Sequence, residues 1–217
     1  MFFLLTQQQR INRFAVVNEN FEYIFVAKNL QITNSSVTTT DYIGGTRGTI
    51  TYINTAVGGM NSNWGRINVQ EYVIDYIEEY GCDLFICAFG MNDLDATASI
   101  TRSNTKNIID PVLAASPNTS VMLVSTMFYN NVAVDGERKD NLILEQDVAL
   151  KSLAEDYRNG GYECAVTSMS LVSQSVLEHK DFMDYTGNNV NHPNDYFCRV
   201  YAQTLFEALI GYDNLAD

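Results

Sequence analysis

The stretch from Asp83 to Asp93, DLFICAFGMND, decides the fold. Its first seven residues are a short, almost unbroken apolar run, as expected of a strand covered on both faces. Strands of that kind belong to parallel sheets flanked by helices. Just upstream, residues 66–80 put Val69, Val73, Ile77 and Tyr80 on one helical face, with Glu71, Asp75, Glu78 and Glu79 elsewhere, and Gly81 follows as a helix stop. Before that helix, residues 48–54 (GTITYIN) read as a β-strand.

The same rhythm continues downstream. A helix over residues 105–115 leads into the turn Ser116-Pro117-Asn118, and residues 121–124 supply another buried strand. A long helix over 139–158 ends at Asn159-Gly160-Gly161, and residues 162–167 (YECAVT) form the next strand. Pro193-Asn194 opens a last helix, whose stripe of Phe197, Val200, Tyr201, Leu205, Ala208 and Leu209 is interrupted only by Thr204. Strands alternating with helices predict a three-layer α/β/α sandwich on a flavodoxin-like, mainly parallel sheet of about five strands. A single domain over 1–217 is expected, with residues 1–45 departing from the pattern. Functional loops should follow the carboxyl ends of the strands.

Composition narrows the function classes. The 217 residues carry 26 acidic and 13 basic side chains, a formal charge of −13, which argues against a nucleic-acid partner because phosphate binding needs clustered Lys and Arg. With 46% hydrophobic and 12% aromatic residues and three prolines, the chain builds a core rather than a disordered tract. The apolar start at residues 1–5 gives way to Thr6-Gln7-Gln8-Gln9-Arg10, too short for a membrane span or a visible signal peptide. Cys82, Cys87, Cys164 and Cys198 have no CxxC spacing, so buried free thiols are expected rather than a metal cage. No metal or other cofactor is implied.

Three polar clusters sit where such a sheet places its chemistry. Residues 54–62 (NTAVGGMNS) follow a strand and contain Gly58-Gly59, whose tight turn exposes backbone N–H groups as an oxyanion site requires; the alternative is an ordinary turn. Gly90-Met91-Asn92-Asp93 offers a side-chain amide at a strand end, or else a plain Asx turn. Residues 188–195 (NNVNHPND) hold His192 just before the last helix, placed as a general base or else solvated.

In that order the three clusters resemble the SGNH hydrolases, the GDSL esterase/lipase superfamily, over residues 54–209, with G-M-N-D and V-N-H-P-N-D as the specific parts. The flavour is that of the carbohydrate-esterase-like branch. The resemblance implies a metal-free serine esterase, or a silent descendant of one, acting on a small ester or acylated glycan. It also implies Gly59 and Asn92 as oxyanion donors, His192 as the base, Asp93 and Asn189 as orienting residues, and Asn61 and Trp64 along the substrate cleft.

Two departures accompany it. No Gly-Asp-Ser occurs anywhere, so the nucleophile is unassigned. If residues 13–17 (RFAVV) form the first strand, the expected block reads Asn18-Glu19-Asn20, with residues 21–31 as the first helix. If residues 1–5 form it, the block falls at Thr6-Gln7-Gln8. A chain that begins after the block is the third reading. Ser35, Ser36 and Ser62 are the serines nearest the glycine loop, the first two in a polar stretch (33–40) expected to be a surface loop. The second departure is Asn189, three residues before His192, where the resembling proteins commonly carry Asp; Asp184 and Asp195 are the nearby acids, Asp195 being better suited to the start of the last helix.

Overall fold

The computed structural model describes residues 2–7, 37–43 and 46–210 apart from 94, 131, 137 and 138, with side-chain packing described from Ile53 onward. The strands are β1 (Phe2–Gln7), β2 (Val37–Ile43), β3 (Thr46–Asn54), β4 (Leu84–Ala88), β5 (Ser120–Val124) and β6 (Cys164–Thr167). They form one sheet in the order β2-β3-β1-β4-β5-β6. β4, β5 and β6 are parallel, whereas β1 is antiparallel to both β3 and β4, and β2 is antiparallel to β3.

The expectation of a mainly parallel, five-stranded sheet is therefore corrected: there are six described strands, and parallel pairing joins only three. The physical reason lies in β1. An apolar run such as FFLL pairs equally well in either direction, and here it fills the slot between β3 and β4 running against both. β2 likewise replaces much of the surface loop expected over 33–40, and the hairpin to β3 needs only Gly44-Gly45 between them. The candidate strand at 13–17, the helix at 21–31, and Ser35 and Ser36 lie outside the described residues.

The rest follows the periodicity closely. The helical stretch after β3 is α1 (Ser62–Ile67), a π-helical turn (Gln70–Ile74) and α2 (Asp75–Tyr80), closed by Gly81 at φ 75° with its N–H on the Ile77 carbonyl at 2.8 Å. Next come α3 (Ala98–Ala115), α4 (Val132–Asp135), α5 (Asp140–Asn159), α6 (Met169–Leu177), α7 (Phe182–Tyr185) and α8 (Asp195–Ile210). Asn194 caps α8, its side chain accepting from the Phe197 N–H at 3.0 Å.

Strand residues alternate between two cores, which makes the sandwich three-layered. Phe85, Cys87, Val121 and Leu123 pack under the layer of α1, α2, α3 and α5. Leu84, Met122 and Val124 pack under α6, α7 and α8. Burying each large apolar side chain contributes about 1.5–3 kcal/mol. Gly65 lets α1 approach this first core: a Cβ there would lie 2.5 Å from the Phe89 ring and 3.0 Å from Ile108. Cys82, Cys87 and Cys164 are buried free thiols, while Cys198 is free but exposed. Among the described residues no helix is long and apolar enough to cross a membrane.

Candidate active site

Because β3 and β4 both run against β1, they run the same way, and Asn54 lies level with Ile86 across Phe3. The carboxyl ends of β3, β4, β5 and β6 therefore share one rim, and all three polar clusters belong to it.

Asn54 starts the first loop by accepting the Ala56 N–H at 3.0 Å. Gly59 then takes φ 77°, a conformation open to glycine at little cost, in an exposed turn where a Cβ would meet nothing within 4 Å. No hydrogen bond among the described residues takes its N–H. Asn61 caps α1 through the Trp64 N–H at 2.9 Å. Trp64 is half-buried and packs edge-on against Tyr72, with ring centroids 4.8 Å apart. Both residues expected along a substrate cleft thus take part in building and packing α1.

The second loop is a tight turn, with the Asp93 N–H on the Gly90 carbonyl at 3.0 Å. Gly90 is required there twice over: its φ is 131°, and a Cβ would stand 3.0 Å from the Thr126 Cβ. Asn92 is exposed and does not fold back on its own turn. Its amide crosses the rim to donate to the Met60 carbonyl at 3.3 Å, joining the second cluster to the first. An amide nitrogen carries two hydrogens, so one remains for a ligand.

Beneath Asn92 lies an interior polar network of which sequence reading singled out only Asp93 and Ser62. The Asp93 carboxylate is buried and accepts from the Ser62 N–H at 3.0 and 3.1 Å and from the Ser62 hydroxyl at 2.6 Å. Asn104 of α3 donates to that same hydroxyl at 3.0 Å. Gln146 of α5 donates to the carbonyls of Asp93 and Ala96 at 3.2 and 3.1 Å and to the Thr101 hydroxyl at 3.2 Å. Ser62 is fully buried, and its hydroxyl both donates and accepts. It is a structural link rather than a free nucleophile.

The third cluster is held to the rim by Asn130, in the extended segment after β5. The Asn130 backbone N–H donates to the Val190 carbonyl at 2.8 Å, and its side chain donates to the Asn189 carbonyl at 3.1 Å. Asn188 organises the loop, its side-chain oxygen accepting the N–H groups of Val190, Asn191 and His192, each at 3.0 Å. Asn189 adopts φ 57°, one of the few conformations in which Asn stands in for Gly. His192 is exposed, and among the described residues no hydrogen bond joins its imidazole to Asn189, Asp184 or Asp195. Asp184 is engaged instead in the capping box of α7, and Asp195 stands in the first turn of α8.

The nucleophile is unassigned among the described residues. Thr6 pairs with Thr51, and Leu5 with Leu84 at the start of β4, so β1 itself ends at the edge of the sheet opposite the rim. Ser125 is buried, its hydroxyl accepting the Ser170 N–H at 3.2 Å. Cys87 is no substitute, because burial pushes its thiol up to about 12 and leaves it protonated at neutral pH. Among the described residues no group of three or more His, Cys, Asp or Glu is arranged to hold a metal ion.

Solved structures share this fold. A family 3 carbohydrate esterase from Talaromyces cellulolyticus superposes with a TM-score of 0.55 at 13% identity, covering 73% of this chain and 70% of the other. A family 3 carbohydrate esterase from Clostridium thermocellum gives 0.52 at 13% identity over the same shares. The lipase/acylhydrolase from Enterococcus faecalis gives 0.53 at 16%, covering 71% and 72%. The fold is that of the SGNH hydrolases. No family model matches the sequence, and no curated protein matches it.

Proposed function

We propose that this chain is an esterase-like SGNH-fold domain that takes small O-acyl esters, acetylated carbohydrate being the substrate class, at the rim bearing Gly59, Asn92 and His192. The observation that carries the reading is the 3.3 Å bond from Asn92 to Met60. It ties the Asn92 loop to the Gly59 loop, which supports reading the Asn92 amide and the Gly59 backbone N–H as the two oxyanion donors. The esterases among the structural neighbours support the same reaction class.

In this reading a hydroxyl attacks the ester carbonyl as His192 takes its proton, and the tetrahedral oxyanion rests on Gly59 and Asn92. The alcohol leaves with the proton from His192. Water, deprotonated by the same imidazole, then releases the carboxylic acid and restores the hydroxyl. The attacking group is unassigned; Ser35 and Ser36, outside the described residues, are the serines to test for it. A neutral Asn189 gives the imidazolium no charge partner, and in a serine protease the equivalent loss costs about 10⁴-fold in turnover. Slow hydrolysis is expected.

The second reading, a non-hydrolytic domain that binds the glycan, is favoured by two observations: β1 ends at the edge opposite the rim, and the Ser62 hydroxyl is fully engaged. Hydrolysis of p-nitrophenyl acetate separates the two. Turnover lost in His192→Ala, and in the double variant Ser35→Ala/Ser36→Ala, supports the esterase. Turnover that survives His192→Ala overturns it. An inert protein that binds an acetylated oligosaccharide saturably, with or without His192, establishes the binder.

A further inference from the structure

The interior network beneath the rim makes little sense as core. Thr101, Asn104, Gln146, Ser62 and Asp93 arrive from α1, α3, α5 and the turn after β4, and each is more than nine-tenths buried. Apolar side chains of the same volume hold helices together without the desolvation cost of about 1–3 kcal/mol that each polar group incurs if its bond fails. What a fully paired polar network adds is one fixed arrangement. The segment it fixes is short: Gln146 grips the carbonyls of Asp93 and Ala96, and Ser62 grips the Asp93 carboxylate. Asn92 is the neighbour of the residue held from both sides.

We propose that Gln146 is a positioning residue for Asn92, holding its amide at the rim in the orientation that leaves one N–H for a ligand. The inference rests on the rim being the binding site, but not on hydrolysis. Gln146 has two N–H bonds for three acceptors at 3.1–3.2 Å, so it braces the backbone at the exit of the turn from α5, while Ser62 of α1, backed by Asn104 of α3, holds the Asp93 side chain. Tilting the turn by an ångström takes Asn92 off the Met60 carbonyl, and misplacement on that scale costs about 10²-fold in rate at a catalytic site.

Gln146→Met keeps the volume and removes both donors. Nitrogen–proton spectra of the side-chain amides should show the Asn92 pair shifting in the variant toward the positions of a solvated Asn amide, as the bond to the Met60 carbonyl is lost. The control is Leu153→Ala, which opens a cavity on the same helix and lowers stability without touching the turn; the Asn92 signals should stay where they are. If Gln146→Met does not fold, Gln146→Glu, which keeps the shape with at most one donor, should move the same signals the same way.

If the parent hydrolyses p-nitrophenyl acetate, kcat should fall about 10- to 100-fold in Gln146→Met with KM within about two-fold, the split expected when a transition-state donor is displaced. Asn92 signals that move in a protein without turnover sustain the positioning role and remove the esterase. Unmoved Asn92 signals and unchanged kcat in an active Gln146→Met protein overturn the positioning role and leave the esterase standing. Equal movement in Leu153→Ala also overturns it.

Discussion

Replacing Ser62 by alanine tests whether its hydroxyl is a structural link or a free group. In the fold it donates to the Asp93 carboxylate at 2.6 Å and accepts from Asn104 at 3.0 Å, with no exposed surface. A hydrogen bond to a charged group contributes about 1.5–3 kcal/mol, and a buried amide left without its acceptor costs about 1–3 kcal/mol. Relaxation of Asn104 recovers part of the second, so a net loss of about 2–4 kcal/mol is expected. For a chain of this length each kcal/mol lowers Tm by roughly 2–4 °C, which puts the drop near 5–15 °C. Urea unfolding should show a lower midpoint with an unchanged slope, since no large surface is newly exposed. A cycle with Asn104→Ala should give a coupling of about 0.5–3 kcal/mol between the two sites. A variant as stable as the parent that has lost ester hydrolysis would refute the reasoning, because it would make the Ser62 hydroxyl a reacting group.

Gly90→Ala should cost about 2–4 kcal/mol in urea unfolding, since a side chain at φ 131° is strained and its Cβ meets Thr126 at 3.0 Å. Asn130→Ala should leave global stability within about 1 kcal/mol yet speed amide exchange over residues 187–192, whose loop loses one of its two ties to the segment after β5. Burial raises the Cys87 and Cys164 thiols from 9.0 to about 12, so the native state holds those protons more tightly than the unfolded chain. Their contribution is complete below pH 9 and is lost as pH climbs from 9 toward 12, at up to ~1.4 kcal/mol per pH step for each thiol, measurable as a falling urea midpoint. At pH 8 a thiol reagent should label Cys198 alone in the native protein and all four cysteines in urea.

How far the sequence carries the fold depends on where the information sits. β4, β5 and β6 lie within two residues of the expected runs, because a short apolar stretch bounded by a turn is a local signal. α3 begins at Ala98, seven residues before the expected start, because its first turns bury Thr101, Asn104 and Thr105 where the apolar period calls for hydrocarbon. The direction of β1 was illegible, since alternation and hydrophobicity are the same read either way. At the site, the three loops and their common rim followed from strand order. The residues that hold them did not: Ser62 to Asp93 spans 31 positions and Gln146 to Asp93 spans 53, and no local pattern reports such pairs. Asn188 and Asn130 were hidden for a related reason, since an Asn that binds backbone looks like any loop Asn until its partner is in place.

The reversed β1 also bears on how the protein is handled. Phe2 pairs with Cys87, so peptide fused ahead of it emerges beside the loops of Gly59 and Asn92. An affinity tag at the front of the chain would crowd the rim of the proposed function and give a false negative in binding or turnover trials.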